Sequence, residues 1–379
     1  MDNKIKTVVA SVLKPVDDTR MYEKLGLSLL QTNRYEVNII GFTAKNPPLD
    51  NDIRFFPIFS MKRTSYQRLL VTFRLFYYML RIRPTLIILT TYEILPAALL
   101  FKLYHPACRL VYDIQENYAL NILSNQSYSL KARLIAKGIR KLETFSQKFI
   151  SLNILAERCY AKELSFLAKS VVILNKAKQP QHSIWQTSTL KHAQQSSNKH
   201  PVLIFCGTIS KDYGVFQAIC LAEKLVNFFP ELIAKFIGQV HDSTLLKKLK
   251  KNQNPHLLFH IDTQPVPHPQ IMYEMAVADF GLVAHQPTPS IRNCFPTRIY
   301  ELMSLNKPII LQEHPLWTNY CKPWDACIPI DYNNFDAEWV AEQMKQQKFY
   351  KKGKPDDIYW ESEEEKLIKA IDSLFLINY

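Results

Sequence analysis

The residue types best suited to chemistry lie between two apolar runs, Phe280–Ala284 and Pro308–Leu311. A helix is predicted to begin there at Pro296, because proline suits a first turn, where its missing N–H would have no partner. The unpaired N–H groups of such a helix start attract phosphate, and Arg298 adds positive charge. Glu301, just over one turn further along, can accept hydrogen bonds from vicinal hydroxyls. The segment predicts a site for a nucleotide diphosphate and its ribose, although a single glutamate in such a helix is also common without a ligand.

A second candidate for phosphate contact is Lys211, in a polar turn after the apolar run Pro201–Cys206. Gly207 and Gly214 flank the turn, and its position after a predicted buried strand places it where ligands of parallel sheets bind. Lys211 is therefore a candidate for neutralising a pyrophosphate. The alternative is that the Lys211 side chain contacts only solvent and binds no ligand.

Two further carboxylates are predicted at strand ends in the first half of the chain. Asp18 follows the apolar run Thr7–Leu13, and Glu116 follows the run that ends at Asp113. A carboxylate in this position can take a proton from an acceptor hydroxyl. Structural alternatives stay open, because Asp18 with Arg20 also reads as a helix cap and its ion pair, and Glu116 and the neighbouring Asp113 can serve in structural hydrogen bonds.

The segment from Ala278 to Leu311 resembles the donor-binding segment of the GT-B glycosyltransferases, family four in particular. In that family two glutamates are separated by seven residues: the second binds the ribose, and the first contacts the transferred sugar. Glu301 matches the second, and Asn293 stands at the first. Asparagine can hydrogen-bond a sugar but places no negative charge beside it. His285 lies in the loop before Asn293 and could contact the donor sugar. The alternative is that this histidine has no chemical role.

The resemblance continues in PVLIFCGTISKDYG and YDIQEN. Gly207 and Gly214 match the family's diphosphate turn, whereas Thr208 replaces its arginine and Tyr213 its lysine. Gln115 stands where the family often has histidine. The candidate catalytic residues are Asp18, Glu116 and Asn293. The predicted nucleotide contacts are Gly207, Thr208, Lys211, Arg298 and Glu301.

The resemblance implies an α/β protein of GT-B type, with two doubly wound Rossmann-like domains facing a central cleft. It also implies a retaining transferase without a cofactor or an essential metal. Its substrates would be a nucleotide-sugar donor and a saccharide or lipid-linked acceptor in cell-surface polysaccharide synthesis. Two alternatives stay open: a nucleotide-sugar epimerase, which shares the fold, and a catalytically degenerate GT-B binding protein, which the replacements at Asn293, Thr208 and Tyr213 favour.

Alternating apolar and amphipathic segments independently predict a mostly parallel sheet in each half of the chain. A polar stretch, Gln179–His200, separates the halves, and 379 residues with 47% hydrophobic content can bury two cores. We predict domains at 1–180 and 200–357. The acidic helix at about 358–377 is expected to pack back on the first domain, as is common in GT-B proteins.

Composition excludes several classes of protein. The sequence contains no G-x-G-x-x-G and no G-x-x-x-x-G-K-[ST] pattern, and the apolar runs are shorter than the roughly 20 residues that cross a bilayer. The seven cysteines are scattered without a C-x-x-C, which favours reduced thiols in the cytoplasm. Asp50-Asn51-Asp52 has the Asp-x-Asp form of some metal sites, but it follows a turn rather than a strand. No metal site is predicted.

Positive charge is concentrated in the first half, where residues 1–180 contain 27 Lys or Arg against 13 Asp or Glu. Phe55–Tyr92 and Asn117–Leu142 contain no acidic residue, and in the first of these runs Lys62, Arg63 and Arg68 precede several aromatic residues. This mixture predicts peripheral contact of the first domain with the anionic cytoplasmic face of a membrane. The alternative is a buried helix with a basic edge. Nucleic acid is not an expected partner, because no binding motif accompanies the charge.

Overall fold

The computed structural model describes residues 4–44, 52–59, 70–125, 129–179 and 200–375. The chain forms two compact units. The first unit comprises residues 1–175 together with 360–379, and the second comprises residues 176–359.

Seven strands in the described part of the first unit form one sheet, ordered β3-β2-β1-β4-β5-β6-β7 with every pairing parallel. The central strands are apolar and fully buried, as expected for a parallel sheet covered on both faces. The strands are β1 Ile5–Pro15, β2 Tyr35–Phe42, β3 Arg54–Phe59, β4 Leu86–Leu89, β5 Arg109–Ile114, β6 Leu152–Leu155 and β7 Ser170–Val172.

Helices connect these strands. The first connection begins with a π-helix, Thr19–Gly26, which runs directly into a short α-helix. The α-helices are α1 Leu27–Gln31, α2 Val71–Ile82, α3 Leu95–Tyr104, α4 Tyr118–Asn125, α5 Leu130–Ser146 and α6 Tyr160–Glu163, with a 3₁₀ turn at Tyr92–Ile94. The sequence predicts the second α-helix from about Tyr66, a residue outside the described ranges.

The described second unit contains a six-stranded parallel sheet, ordered β10-β9-β8-β11-β12-β13. Its strands are β8 Val202–Thr208, β9 Ile233–Gln239, β10 Leu257–Asp262, β11 Phe280–Val283, β12 Ile309–Gln312 and β13 Cys327–Ile330. Its helices are α7 Val215–Leu225, α8 Ser243–Lys250, α9 His268–Val277, α10 Thr297–Ser304, α11 Pro315–Cys321 and α12 Ala337–Gln346, with 3₁₀ turns at Lys322–Trp324 and Asp356–Ile358. The predicted α/β class with two doubly wound parallel sheets is confirmed.

The last helix, α13 (Glu361–Asp372), packs on the first unit. Leu367 and Ile371 are buried in that unit's core, Asp372 pairs with Arg34 at 2.6 Å, and the Trp360 indole N–H donates to the Ser28 hydroxyl at 2.9 Å. None of the helices in the described ranges is long and apolar enough to cross a membrane.

The boundary between the units differs from the predicted end of the first domain at residue 180. Lys176 and Ala177 belong to the second unit. Lys176 pairs with Asp357 at 3.3 Å, and the Ala177 N–H donates to the Ile358 carbonyl at 3.2 Å. These contacts join residues far apart in the sequence, so local composition did not indicate them.

Candidate functional site

The second unit places its candidate residues at a topological switch point. From β8 the strand order continues to β9 on one side, while β11 lies on the other side. In doubly wound sheets, ligands bind beyond the strand carboxyl ends at this crevice. Gly207 lies near the end of β8, and His285 follows β11. The sequence motifs therefore converge where this fold forms binding sites.

Glu301 is the centre of a charged cluster at this edge. The residue is only 6% exposed, and its Oε1 lies 3.0 Å from Nε2 of His268, the first residue of α9. Its Oε2 lies 2.6 Å from Nη1 of Arg298, one turn earlier on α10. These two contacts orient the carboxylate, whose oxygens are the kind of acceptor that ligand hydroxyls require.

Arg298 lies directly against the glycine at the end of β8. A Cβ on Gly207 would be 2.6 Å from Arg298 Nη2, and the Gly207 φ of +105° is itself unfavourable for other residues. Gly207 is thus required for the close approach of the guanidinium. The result is a fixed cation beside the turn that follows β8, where it can neutralise part of a diphosphate.

The turn after Thr208 is held by its backbone. The Gly214 N–H donates to the Lys211 carbonyl at 2.9 Å, and the Lys211 side chain is exposed to solvent. Gly214 has φ +78°, and a Cβ there would clash with the Ala284 carbonyl oxygen. The Gln286 N–H donates to the Asp212 carbonyl at 2.8 Å, which joins the turn to the loop after β11.

His285 is a neutral imidazole beside this cluster. Burial, together with the positive charge of Arg298, lowers its pKa to about 3. Its ring packs against Tyr213 with centroids 4.5 Å apart and against Trp317 at 6.0 Å. Within the described part of the chain, its buried Nδ1 makes no hydrogen bond.

The lowered pKa of His285 predicts a pH-dependent stability. Between pH 6.5 and about 3 the unfolded chain binds a proton that the folded ring does not, so stability is lost as pH falls through this window, by up to about 1.4 kcal/mol per pH unit. His285→Gln is expected to flatten this slope in urea unfolding followed by circular dichroism. Substituting His260, exposed on β10, is the matched control, and an unchanged slope in His285→Gln would contradict the assignment.

Comparison with known proteins identifies the fold. No protein-family model matches the sequence, and no curated protein matches it. Sucrose-phosphate synthase from Thermosynechococcus elongatus is structurally similar with a TM-score of 0.69 at 12% identity, covering 98% of this chain and 99% of that one. HepE from Anabaena, in complex with UDP and glucose, gives 0.62 at 15% identity, covering 97% and 100%. A putative UDP-N-acetylglucosamine 2-epimerase from Listeria monocytogenes gives 0.58 at 10% identity, covering 98% and 97%.

The chain has the GT-B fold. The predicted fold is thereby confirmed, and the likeness extends over nearly the full length of each compared chain. Within this GT-B chain, Asn293 lies in an exposed turn before α10. Tyr213, at the position where the resemblance expects a lysine, contributes an aromatic ring that packs on His285.

In the first unit of this GT-B chain, the candidate carboxylates Asp18 and Glu116 both have structural hydrogen-bond partners. Asp18 caps the π-helix, because its Oδ1 accepts from the backbone N–H groups of Arg20 at 3.0 Å and Met21 at 3.1 Å. The Glu116 carboxylate accepts from the Asn121 amide at 2.9 Å. The cap predicted for Asp18 is present, and the catalytic roles of Asp18 and Glu116 stay predictions.

For Arg20, the structural alternative of an ion pair with Asp18 is wrong. Its guanidinium binds Asp113, with Nη2 2.7 Å from Oδ1 and Nε 2.9 Å from Oδ2, rather than Asp18. Both side chains are almost fully buried. Asp113 also accepts from the Gln115 amide at 2.9 Å, so this carboxylate has a structural role.

The Asp-x-Asp segment falls at the edge of the described chain. Asp50 lies outside the described residues, and Asp52 lies in a bend before β3. In the ranges that the structure describes, no group of three or more His, Cys, Asp or Glu side chains is arranged to hold a metal ion.

Proposed function

We propose that this protein is a glycosyltransferase that moves a sugar from a nucleotide-diphosphate sugar to a saccharide or lipid-linked acceptor. The observation that carries the proposal is the Glu301 cluster with His268 and Arg298 at the switch point of the second unit. The fold supports it, since sucrose-phosphate synthase and the UDP- and glucose-bound HepE share it over nearly their whole length.

In this proposal Glu301 accepts hydrogen bonds from the ribose hydroxyls, and His268 holds the carboxylate in position. Arg298, Lys211 and the N–H groups near Gly207 and Thr208 receive the diphosphate. Asn293 contacts the transferred sugar through neutral hydrogen bonds, and Asp18 or Glu116 serves the acceptor. The reaction retains anomeric configuration and belongs to cell-surface polysaccharide synthesis.

A second candidate function is epimerisation of a nucleotide sugar. It is favoured by the structural likeness to the putative 2-epimerase. The same donor site would serve both reactions. Loss of activity with retained nucleotide binding would instead indicate a degenerate GT-B binding protein.

A panel of UDP-, GDP- and ADP-sugars separates these functions. The protein is incubated with each donor, with and without membrane extract as a source of acceptor, and nucleotide release and sugar products are analysed by mass spectrometry. Acceptor-dependent release of nucleoside diphosphate is the expected result. Formation of an epimeric sugar without acceptor would support the second candidate, and no turnover of any donor would contradict both.

Activity is expected without a divalent metal. Positive charge for the leaving diphosphate comes from Arg298 and from the N–H groups of the α10 start, so the chain supplies what a metal would otherwise provide. Enzyme treated with EDTA should retain most of its rate with the best donor of the panel. A strict Mn²⁺ or Mg²⁺ requirement, together with loss of the metal-dependent activity in Asp52→Ala, would show that the Asp-x-Asp segment binds metal.

We further propose that the first unit attaches the protein to the cytoplasmic face of an anionic membrane. Support comes from the net positive charge of residues 1–180 and from the two runs without an acidic residue, Phe55–Tyr92 and Asn117–Leu142. The three basic residues Lys62, Arg63 and Arg68 lie outside the described residues. Structural support for membrane attachment therefore comes from the described helices of this unit.

A further inference from the structure

A groove lies between α4 and α5 on the first unit. It has a volume of about 360 Å³. Its apolar side comes mainly from Ala119, Leu120 and Leu123 of α4. Its basic side comes from α5, where Arg133, Lys137 and Arg140 are spaced four and three residues apart and so share one helix face.

The three cations of the groove differ in how they are held. Arg140 is fixed, because its Nη2 donates to the Asn117 side-chain oxygen at 2.9 Å and its guanidinium lies 4.9 Å from the Phe166 ring centroid. Arg140 also pairs with Glu143 at 3.4 Å. Arg133 and Lys137 are exposed, and neither forms an ion pair with another described residue. The groove therefore presents the positive charges of Arg133 and Lys137 next to apolar side chains.

An exposed apolar stripe runs beside the groove on the same helix. Leu130 is 75% exposed, Leu134 64% and Phe145 53%, and their spacing of four and eleven residues places them on one side of α5. Lys141 lies on that side as well. The exposed side of α5 therefore carries large apolar side chains as well as cations, whereas an ordinary surface helix exposes mainly polar residues.

Neighbouring helices extend this stripe. Of the fourteen exposed large apolar side chains among the described residues, ten lie on or beside α2, α3 and α5. α3 packs against both α2 and α5, and its Leu103 and Tyr104 are about two-thirds exposed. Exposed apolar groups clustered on adjacent helices mark an interaction surface rather than scattered surface residues.

We infer that the α4–α5 groove takes the phosphate headgroup of an anionic lipid while the apolar stripe of α5 enters the bilayer interface. Charge complementarity selects the occupant, because Asn117–Leu142 contains no acidic residue and its cations adjoin apolar side chains. A protein partner with an acidic surface would match the charge but leaves the stripe of Leu130, Leu134 and Phe145 without a matching apolar medium. This inference rests on the membrane attachment proposed above and assigns it to a particular surface.

Vesicle co-sedimentation of the full chain tests the assignment. Vesicles of phosphatidylcholine alone are compared with vesicles that contain phosphatidylglycerol, at low salt and at about 0.5 M salt, which shortens the screening length to a few ångströms. The groove variant is Arg133→Gln with Lys137→Gln, and the stripe variant is Leu134→Ser. The matched control is Lys247→Gln with Lys250→Gln on α8, which removes the same charge from an exposed helix of the second unit.

The wild-type chain and the α8 control are expected to bind anionic vesicles alike and to lose binding at high salt. Each cation near an anionic surface contributes about fivefold, so the groove variant should bind roughly 25-fold more weakly. The stripe variant should weaken binding to anionic vesicles without changing its salt dependence. Nucleotide affinity, measured by calorimetry, should stay at the wild-type value in every variant, which separates this proposal from the proposed sugar transfer.

Three results would overturn the inference. If the groove variant binds vesicles as tightly as the wild-type chain, the lipid contact is on another surface, and only the assignment to the groove is contradicted. If the wild-type chain does not bind anionic vesicles, both the groove assignment and the proposed membrane attachment are contradicted. Tighter salt-dependent binding to a single-stranded RNA oligonucleotide than to vesicles, lost in the groove variant, would replace the lipid by nucleic acid.

Discussion

Replacing Arg20 by methionine is expected to destabilise the first unit by about 3–5 kcal/mol. Arg20 is 2% exposed and its side chain holds the fully buried carboxylate of Asp113. Removing one partner of a buried ion pair leaves the other charge without compensation in a medium of low polarity. The Ile173 carbonyl also loses its contact with Arg20 Nη2, now 3.1 Å. The measurement is urea unfolding followed by circular dichroism.

A surface ion pair of the same unit provides the control. Arg34 lies 2.6 Å from Asp372 but is 53% exposed, and exposed pairs contribute about 0–1 kcal/mol. Arg34→Met should therefore cost less than about 1 kcal/mol. The double variant Arg20→Met with Asp113→Leu should recover much of the lost stability, because no buried charge remains. A cost below about 1 kcal/mol for Arg20→Met alone would refute the structural role assigned to the pair.

Replacing Glu301 by glutamine is expected to weaken nucleotide binding by about tenfold to hundredfold. Hydrogen bonds to a charged acceptor contribute about 1.5–3 kcal/mol, and glutamine keeps the shape of the side chain while removing its charge. The substitution also weakens the contacts with His268 and Arg298, so the site loses both an acceptor and its orientation. Isothermal titration calorimetry with nucleoside diphosphates measures the effect.

Glu274 supplies a matched control for this second prediction. It lies on α9 of the same unit, and its carboxylate pairs with Lys235 at 2.8 Å. Glu274→Gln removes one charge and one ion pair without touching the cluster of Glu301, His268 and Arg298. Its nucleotide affinity should equal that of the wild-type chain. An equal loss in both variants would mean that the effect comes from general destabilisation of the unit.

The sequence was sufficient for most of the elements and for part of the site, whereas α11, β13 and α12 were not predicted. Continuous apolar runs such as Thr7–Leu13 are typical of buried parallel strands, and their regular alternation with amphipathic helices predicted both sheets. Local features also indicated the α10 start at Pro296 and the turn bounded by Gly207 and Gly214. In each of these cases the information is local, because periodicity and turn residues act over a few positions.

Contacts between distant residues escaped prediction. His268 is 33 positions from Glu301, and Arg20 is 93 positions from Asp113. A histidine at a helix start and an arginine after a predicted helix cap have many ordinary roles, so neither carries a signal of its partner. The tertiary fold, rather than local pattern, decides that Arg20 turns inward to Asp113 instead of pairing with Asp18.

A crystal structure with a bound nucleotide tests whether the second unit binds a nucleotide diphosphate through Glu301. The protein is co-crystallised with the nucleoside diphosphate that binds most tightly in calorimetry. We expect both ribose hydroxyls within hydrogen-bond distance of the Glu301 carboxylate, and the diphosphate beside Arg298 and the turn after Gly207. A nucleotide bound elsewhere, with the contacts of Glu301 to His268 and Arg298 unchanged, would contradict this assignment.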